Sequence, residues 1–132
     1  MIKIHKIVSY FKKNKKQKRL VVHLGPPKTG TSVLQNWFVK NRVFLANHDV
    51  LYPEHKLSSV GISSGNMHSI LRFDDCGKSE FSPYKFKKLV NYFIFSKFDT
   101  LLISSEYFFS HVDAIMEYSS DYSGDMMVSF VG

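Results

Sequence analysis

The chain has 132 residues, 44% of them hydrophobic, which is enough for one globular domain with a buried core. Its single cysteine excludes an internal disulfide, and no apolar run approaches the roughly 20 residues that a membrane-spanning helix needs. The net charge of +7 comes from one segment, because residues 1–20 hold eight of the 18 Lys and Arg residues and no acidic residue.

This basic segment predicts a leader over residues 1–19, ahead of a domain over residues 20–132. A solvated or partly helical leader is the favoured interpretation, and weak contact with a membrane surface is the alternative. The leader lacks the apolar core and cleavage site of a secretory signal, so a cytoplasmic protein is expected. No base-stacking or groove-reading motif accompanies the charge, which argues against a nucleic-acid partner.

The first half of the domain predicts a strand, a helix and a second strand. The continuous apolar run Leu20–Leu24 is typical of a buried parallel strand, and Gly25 ends it. A helix is predicted over 31–46, followed by a short strand over 49–54 and a surface loop over 57–66. The side chains expected to press this helix on the sheet are Val33, Leu34, Trp37, Phe38 and Leu45.

The second half repeats the alternation of helix and strand. Ser82 and Pro83 predict the N-cap and first residue of an aromatic helix. Strands are predicted over 100–106 and 126–131, with a helical stretch between them. The sequence assigns these side chains to the core: Phe93, Phe95, Phe98, Met126 and Met127. The alternation predicts a three-layer α/β/α fold with a mainly parallel sheet. A covering helix normally follows such a last strand, so the chain is expected to be incomplete at its C-terminus.

The connection after the first strand has the pattern of a phosphate-binding loop. Gly25, Gly30 and Ser32 fit G-x-x-x-x-G-K-[ST], but Thr31 stands where that pattern has lysine and Lys28 lies within the loop. Backbone N–H groups that close onto a helix N-terminus suit a phosphate group. A lysine on the loop itself could lie beside the bond between a 5′-phosphate and its terminal group, with no metal required.

The segment HLGPPKTGTSVLQ (residues 23–35) closely resembles the 5′-phosphosulfate loop of sulfotransferases, which use 3′-phosphoadenosine-5′-phosphosulfate (PAPS) as co-substrate. The segments VLYPE and LLISSE are similar to strands of bacterial members. The resemblance implies a P-loop NTPase-like fold in a C-terminally truncated member, without the Arg and Ser that bind the 3′-phosphate. It implies that Lys28 stabilises the bridging oxygen and the sulfuryl group. The residues implied to bind the co-substrate are Pro27, Lys28, Thr29, Gly30, Thr31 and Ser32.

Two residues are candidates for the base that takes the proton of an acceptor hydroxyl. Glu106 follows the strand LLISS and is expected at the same sheet edge as the loop, with a helix N-terminal carboxylate as the alternative role. His68 follows the flexible loop and is the second candidate, a satisfied surface histidine being the alternative. His23, inside the first strand, is expected to be buried and hydrogen-bonded. No residues have the spacing of a metal site.

The predicted function is sulfuryl transfer from PAPS to an acceptor hydroxyl, with carbohydrate as the favoured acceptor. Without the 3′-phosphate contacts, an efficient enzyme is not expected. Two alternatives stay open: a non-catalytic remnant that binds a nucleotide or phosphate, and a P-loop kinase of unusual form. The kinase ranks last because it needs magnesium and a lysine at position 31.

Overall fold

A computed structural model describes residues 17–25, 31–53 and 65–132 of the chain. In chain order its strands are β1 (Lys18–His23), β2 (Val50–Leu51), β3 (Leu71–Phe73), β4 (Ser79–Phe81), β5 (Thr100–Ser104) and β6 (Met126–Val131). Its helices are α1 (Thr31–Lys40), α2 (Arg42–Asn47), α3 (Pro83–Ile94) and α4 (Val112–Ser119). Short 3-10 helices occupy Met67–Ser69, Glu106–His111 and Ser120–Tyr122.

The predicted α/β class is confirmed. Four strands form a parallel sheet in the order β2-β5-β1-β6, and β3 and β4 pair as an antiparallel hairpin. The sequence did not predict this hairpin, because strands of three residues are too short to show an alternating pattern. The last strand agrees with its predicted bounds, whereas the second is limited to Val50–Leu51.

One face of the sheet forms the main core. Leu20 pairs in register with Leu101, and Val22 with Ile103. These four side chains are fully buried, together with side chains of α3, α4 and the 3-10 helix after β5, namely Phe86, Val90, Phe93, Phe108 and Ile115. Each such side chain contributes roughly 1.5–3 kcal/mol relative to an exposed position.

The other face of the sheet receives α1. Side chains alternate along a strand, so His23 and Ser104 point away from the face of Val22 and Ile103. On that side Gln35 of α1 donates a hydrogen bond to Ser104, and the ring of Phe38 lies 6.3 Å from the His23 ring. The connections that follow β1 and β5 therefore cover opposite faces of the sheet.

The helix predicted over 31–46 is two helices, with a break at Asn41 (φ −114°, ψ 26°). Its predicted buried face is wrong for Val33, Leu34 and Trp37, which are 75%, 40% and 45% exposed, while Gln35 is 1% exposed. The polar Gln35 turns inward because Ser104 supplies its hydrogen-bond partner. Local apolar spacing does not reveal such a distant partner.

Helix α3 begins as predicted, because Ser82 Oγ accepts a hydrogen bond from the Lys85 N–H at 3.3 Å and Pro83 is the first helical residue. Phe93 and Met126 are in the core as predicted, and Phe98 packs against it. Phe95 and Met127 were also predicted to be in the core, but they are 89% and 47% exposed. Phe95 lies past the buried stripe at the end of α3, and Met127 points to the opposite sheet face from Met126.

Residues 1–16 of the predicted leader lie outside the described residues, and Lys18 and Arg19 belong to β1. Lys18 is 4% exposed, and its Nζ donates to the carbonyl oxygens of Phe93 (3.0 Å), Ser96 (2.8 Å) and Phe98. An ammonium group has three hydrogens, so these acceptors satisfy it, and the C-terminal end of α3 favours a cation. This lysine therefore anchors α3 to the start of the central strand.

Candidate functional site

At the carboxyl edge of the parallel sheet, the chain passes from the end of β1 through Gly25 toward the start of α1. The chain leaves β1 at His23, and Gly25 is buried with a positive φ of 52°. Helix α1 begins at Thr31, and Ser32 lies in its first turn. The first N–H groups of a helix have no partner within it, so a donor-rich end faces this connection. Pro27, Lys28, Thr29 and Gly30 lie outside the described residues.

The ends of three strands meet at this edge. The Leu24 N–H donates to the Val131 carbonyl at 2.9 Å, and the Ser105 N–H donates to the His23 carbonyl at 3.2 Å. Since the connections after β1 and β5 leave toward opposite faces, the gap between them is a topological switch point. Parallel α/β proteins bind ligands at such a point.

A hydrogen-bond network centred on the buried Ser104 joins three segments at the switch point. Ser104 Oγ lies 2.7 Å from His23 Nδ1 and 3.2 Å from Gln35 Nε2. The amide Nε2 can only donate, so the serine oxygen accepts that bond. The direction of the bond between Ser104 Oγ and His23 Nδ1 depends on the imidazole tautomer. Burial lowers the pKa of His23, which favours the neutral imidazole.

Gly65 and Asn66 pack against Ser104 at the end of β5. The Asn66 N–H donates to the Ser104 carbonyl at 3.0 Å, and Asn66 Oδ1 accepts from the Ser104 N–H at 2.7 Å. Gly65 has a φ of 81°, and a Cβ there would lie 1.8 Å from the Ser104 carbonyl oxygen. Only glycine permits this close approach. The predicted surface loop over 57–66 thus ends in two buried residues, and its residues 57–64 lie outside the described part.

Glu106 is exposed and is the first residue of a 3-10 helix at this edge. The preceding Ser105 caps that helix, with its Oγ accepting from the Tyr107 N–H at 3.2 Å. Glu106 therefore lies at the carboxyl edge of the sheet, where β1 also ends, and at the N-terminus of a helix, the two positions that the sequence predicted for it. An exposed carboxylate there is accessible to a hydroxyl-bearing molecule.

His68 is exposed in the 3-10 helix Met67–Ser69. Its ring centroid lies 5.2 Å from that of Phe73, and the Phe73 centroid lies 5.3 Å from that of Tyr107. Tyr107 follows Glu106 in the chain. His68, Phe73 and Tyr107 therefore form one aromatic cluster, and Glu106 precedes one of its members in the chain. His23 is hydrogen-bonded, as the sequence predicted, but it is only partly buried.

Four residues of the site were missed from the sequence: Gln35, Gly65, Asn66 and Ser104. A polar residue in the second turn of a helix and a serine at the end of an apolar strand are weak signals, because each is more often exposed. Gly65 before Asn66 was assigned to a surface turn. Their role becomes visible only when β5 lies beside β1.

No family model matches this chain, and no curated protein or solved structure shows significant similarity to it. In the described ranges 17–25, 31–53 and 65–132, no helix is long and apolar enough to cross a membrane. Over the same ranges, no group of three or more His, Cys, Asp and Glu side chains has an arrangement that could hold a metal ion. The interpretation of the site therefore depends on its sequence and its geometry.

Proposed function

We propose that this chain is a sulfotransferase-like domain that transfers a sulfuryl group from PAPS to an acceptor hydroxyl, with carbohydrate as the favoured acceptor class. One observation carries the proposal: the segment PPKTGTS connects the carboxyl end of the parallel strand β1 to the start of α1 at a switch point. A phosphate-binding loop requires this order of strand, loop and helix.

The strand order adds support for a P-loop NTPase-like arrangement. β1 lies between β5 and β6, so the strand that leads into the loop is central in the sheet and the ends of two neighbouring strands flank its carboxyl end. A nucleotide bound at this edge would have its 5′ end at the start of α1. It could then extend across the ends of the neighbouring strands.

In the proposed reaction the acceptor oxygen attacks the sulfur atom in line with the bond to the 5′-phosphate. The new S–O bond forms as the old one breaks, and 3′-phosphoadenosine-5′-phosphate leaves. Lys28 and the N–H groups of the loop stabilise the charge that develops on the leaving phosphate. Glu106 or His68 takes the proton of the acceptor hydroxyl.

Calorimetry with 3′-phosphoadenosine-5′-phosphate in the presence of EDTA tests this function. We expect saturable binding without magnesium, because lysine and backbone donors replace the metal in neutralising the phosphate. ATP with magnesium serves as the comparison ligand. Magnesium-dependent binding of ATP in place of 3′-phosphoadenosine-5′-phosphate would identify a P-loop kinase, and failure to bind either nucleotide would contradict the proposal.

A further inference from the structure

The side-chain amide of Asn66 is a buried donor with no assigned role. Asn66 is fully buried, and its Nδ2 has no hydrogen-bond acceptor within residues 17–25, 31–53 and 65–132. Buried polar atoms in folded proteins are nearly always paired with protein, water or ligand. A donor that has no acceptor among the described residues, at the carboxyl edge of a parallel sheet, is therefore a candidate contact for a ligand.

The orientation of this amide is fixed by Ser104. The Ser104 N–H can only donate, so the atom 2.7 Å from it must be the oxygen Oδ1, and Nδ2 must be the other terminal atom. A second bond, from the Asn66 N–H to the Ser104 carbonyl, holds the backbone in place. Rotating the amide would place two donors against each other, so Nδ2 remains a donor.

The surroundings of Asn66 favour an acceptor that carries only oxygen lone pairs. Ser104 Oγ is already shared by Gln35 Nε2 and His23 Nδ1. The first turn of α1, one turn before Gln35, contains no acidic residue, and its first N–H groups have no partner within the helix. A cluster rich in donors at a helix N-terminus complements a phosphate or sulfate oxygen.

We propose that Asn66 Nδ2 donates a hydrogen bond to a phosphoryl or sulfuryl oxygen of the ligand at the switch point. The proposal rests on the proposed function for the identity of that ligand as the sulfated end of PAPS. Asn66 then binds the terminal oxyanion from the side of β5, while the first N–H groups of α1 bind it from the side of that helix. The same contact would serve a free sulfate ion.

The variant Asn66→Asp tests the contact with little change in shape. Its carboxylate retains an oxygen for the Ser104 N–H, but it replaces the donor with a negative charge. We expect 3′-phosphoadenosine-5′-phosphate to bind at least about tenfold more weakly, as when a hydrogen bond to a charged group is lost. Ser119→Ala is the matched control, because Ser119 Oγ is also buried without a partner in the described part but lies at the end of α4. It should bind as the wild type does.

Nuclear magnetic resonance of the wild-type protein gives a second readout that does not depend on the variant folding. The Asn66 side-chain amide signal should shift on titration with 3′-phosphoadenosine-5′-phosphate and, more weakly, with sodium sulfate. If the nucleotide binds but neither the Asn66 signal nor the Asn66→Asp affinity changes, the inference is overturned and the proposed function stands. If sulfate alone shifts the signal, the oxyanion site stands and the nucleotide function fails. Absence of binding by both probes overturns both.

Discussion

Replacing Lys28 with alanine is expected to weaken binding of 3′-phosphoadenosine-5′-phosphate by about 30-fold, or about 2 kcal/mol, because a hydrogen bond to a charged phosphate is lost. Sulfuryl transfer should fall further than binding does. The charge on the leaving phosphate grows in the transition state, so the ammonium group contributes most there. Calorimetry gives the first quantity, and turnover of radiolabelled PAPS with a sugar acceptor gives the second.

Lys97→Ala provides the control for the loss of one positive charge. Lys97 is exposed and precedes β5, at the opposite edge of the sheet from the loop. Its removal should change the affinity less than twofold, because an exposed charge at that distance is screened by salt. Equal losses in the two variants would show that net charge, and not a contact from the loop, governs binding.

Replacing Gly65 with alanine is expected to destabilise the fold by about 3 kcal/mol, which combines a left-handed backbone with a steric clash. The φ of 81° disfavours any side chain, and the added Cβ would lie 1.8 Å from the Ser104 carbonyl oxygen and 2.9 Å from Gln35 Nε2. The segment must then move away from β5 and break the bonds between Asn66 and Ser104. Urea denaturation followed by circular dichroism measures the loss.

Gly77 is the matched control, because its φ of 82° is nearly the same but nothing lies within 4 Å of an added Cβ. Gly77→Ala should cost only about 1 kcal/mol, the backbone contribution alone. The difference between the two variants isolates the close approach of Gly65 to Ser104. Similar losses for both would mean that this approach is not tight in solution.

The strands of the central sheet were predictable because they appear in the sequence as short, continuous apolar runs that are bounded by loop residues. The start of α3 was predictable because Ser82 and Pro83 act locally, within one helical turn. The buried face of α1 could not be predicted from the sequence. Gln35 is inside because of Ser104, which is 69 residues away in the chain, and no local pattern carries that information.

Some residues of the candidate site were likewise predictable from the sequence, and others were not. Its loop motif is contiguous in sequence, so Thr31 and Ser32 could be assigned to the start of a helix before the fold was known. Gly65 and Asn66 act through contacts with β5 and appear in sequence as an ordinary polar turn. Residues that meet only across the sheet edge must be found from the structure.

A crystal structure with 3′-phosphoadenosine-5′-phosphate bound tests the central claim most directly. We expect the 5′-phosphate within hydrogen-bonding distance of the N–H groups at the start of α1 and of Lys28 Nζ, at the edge where β1 and β5 end. A nucleotide bound elsewhere on the sheet, or a Lys28 ammonium directed away from the phosphate, would contradict it.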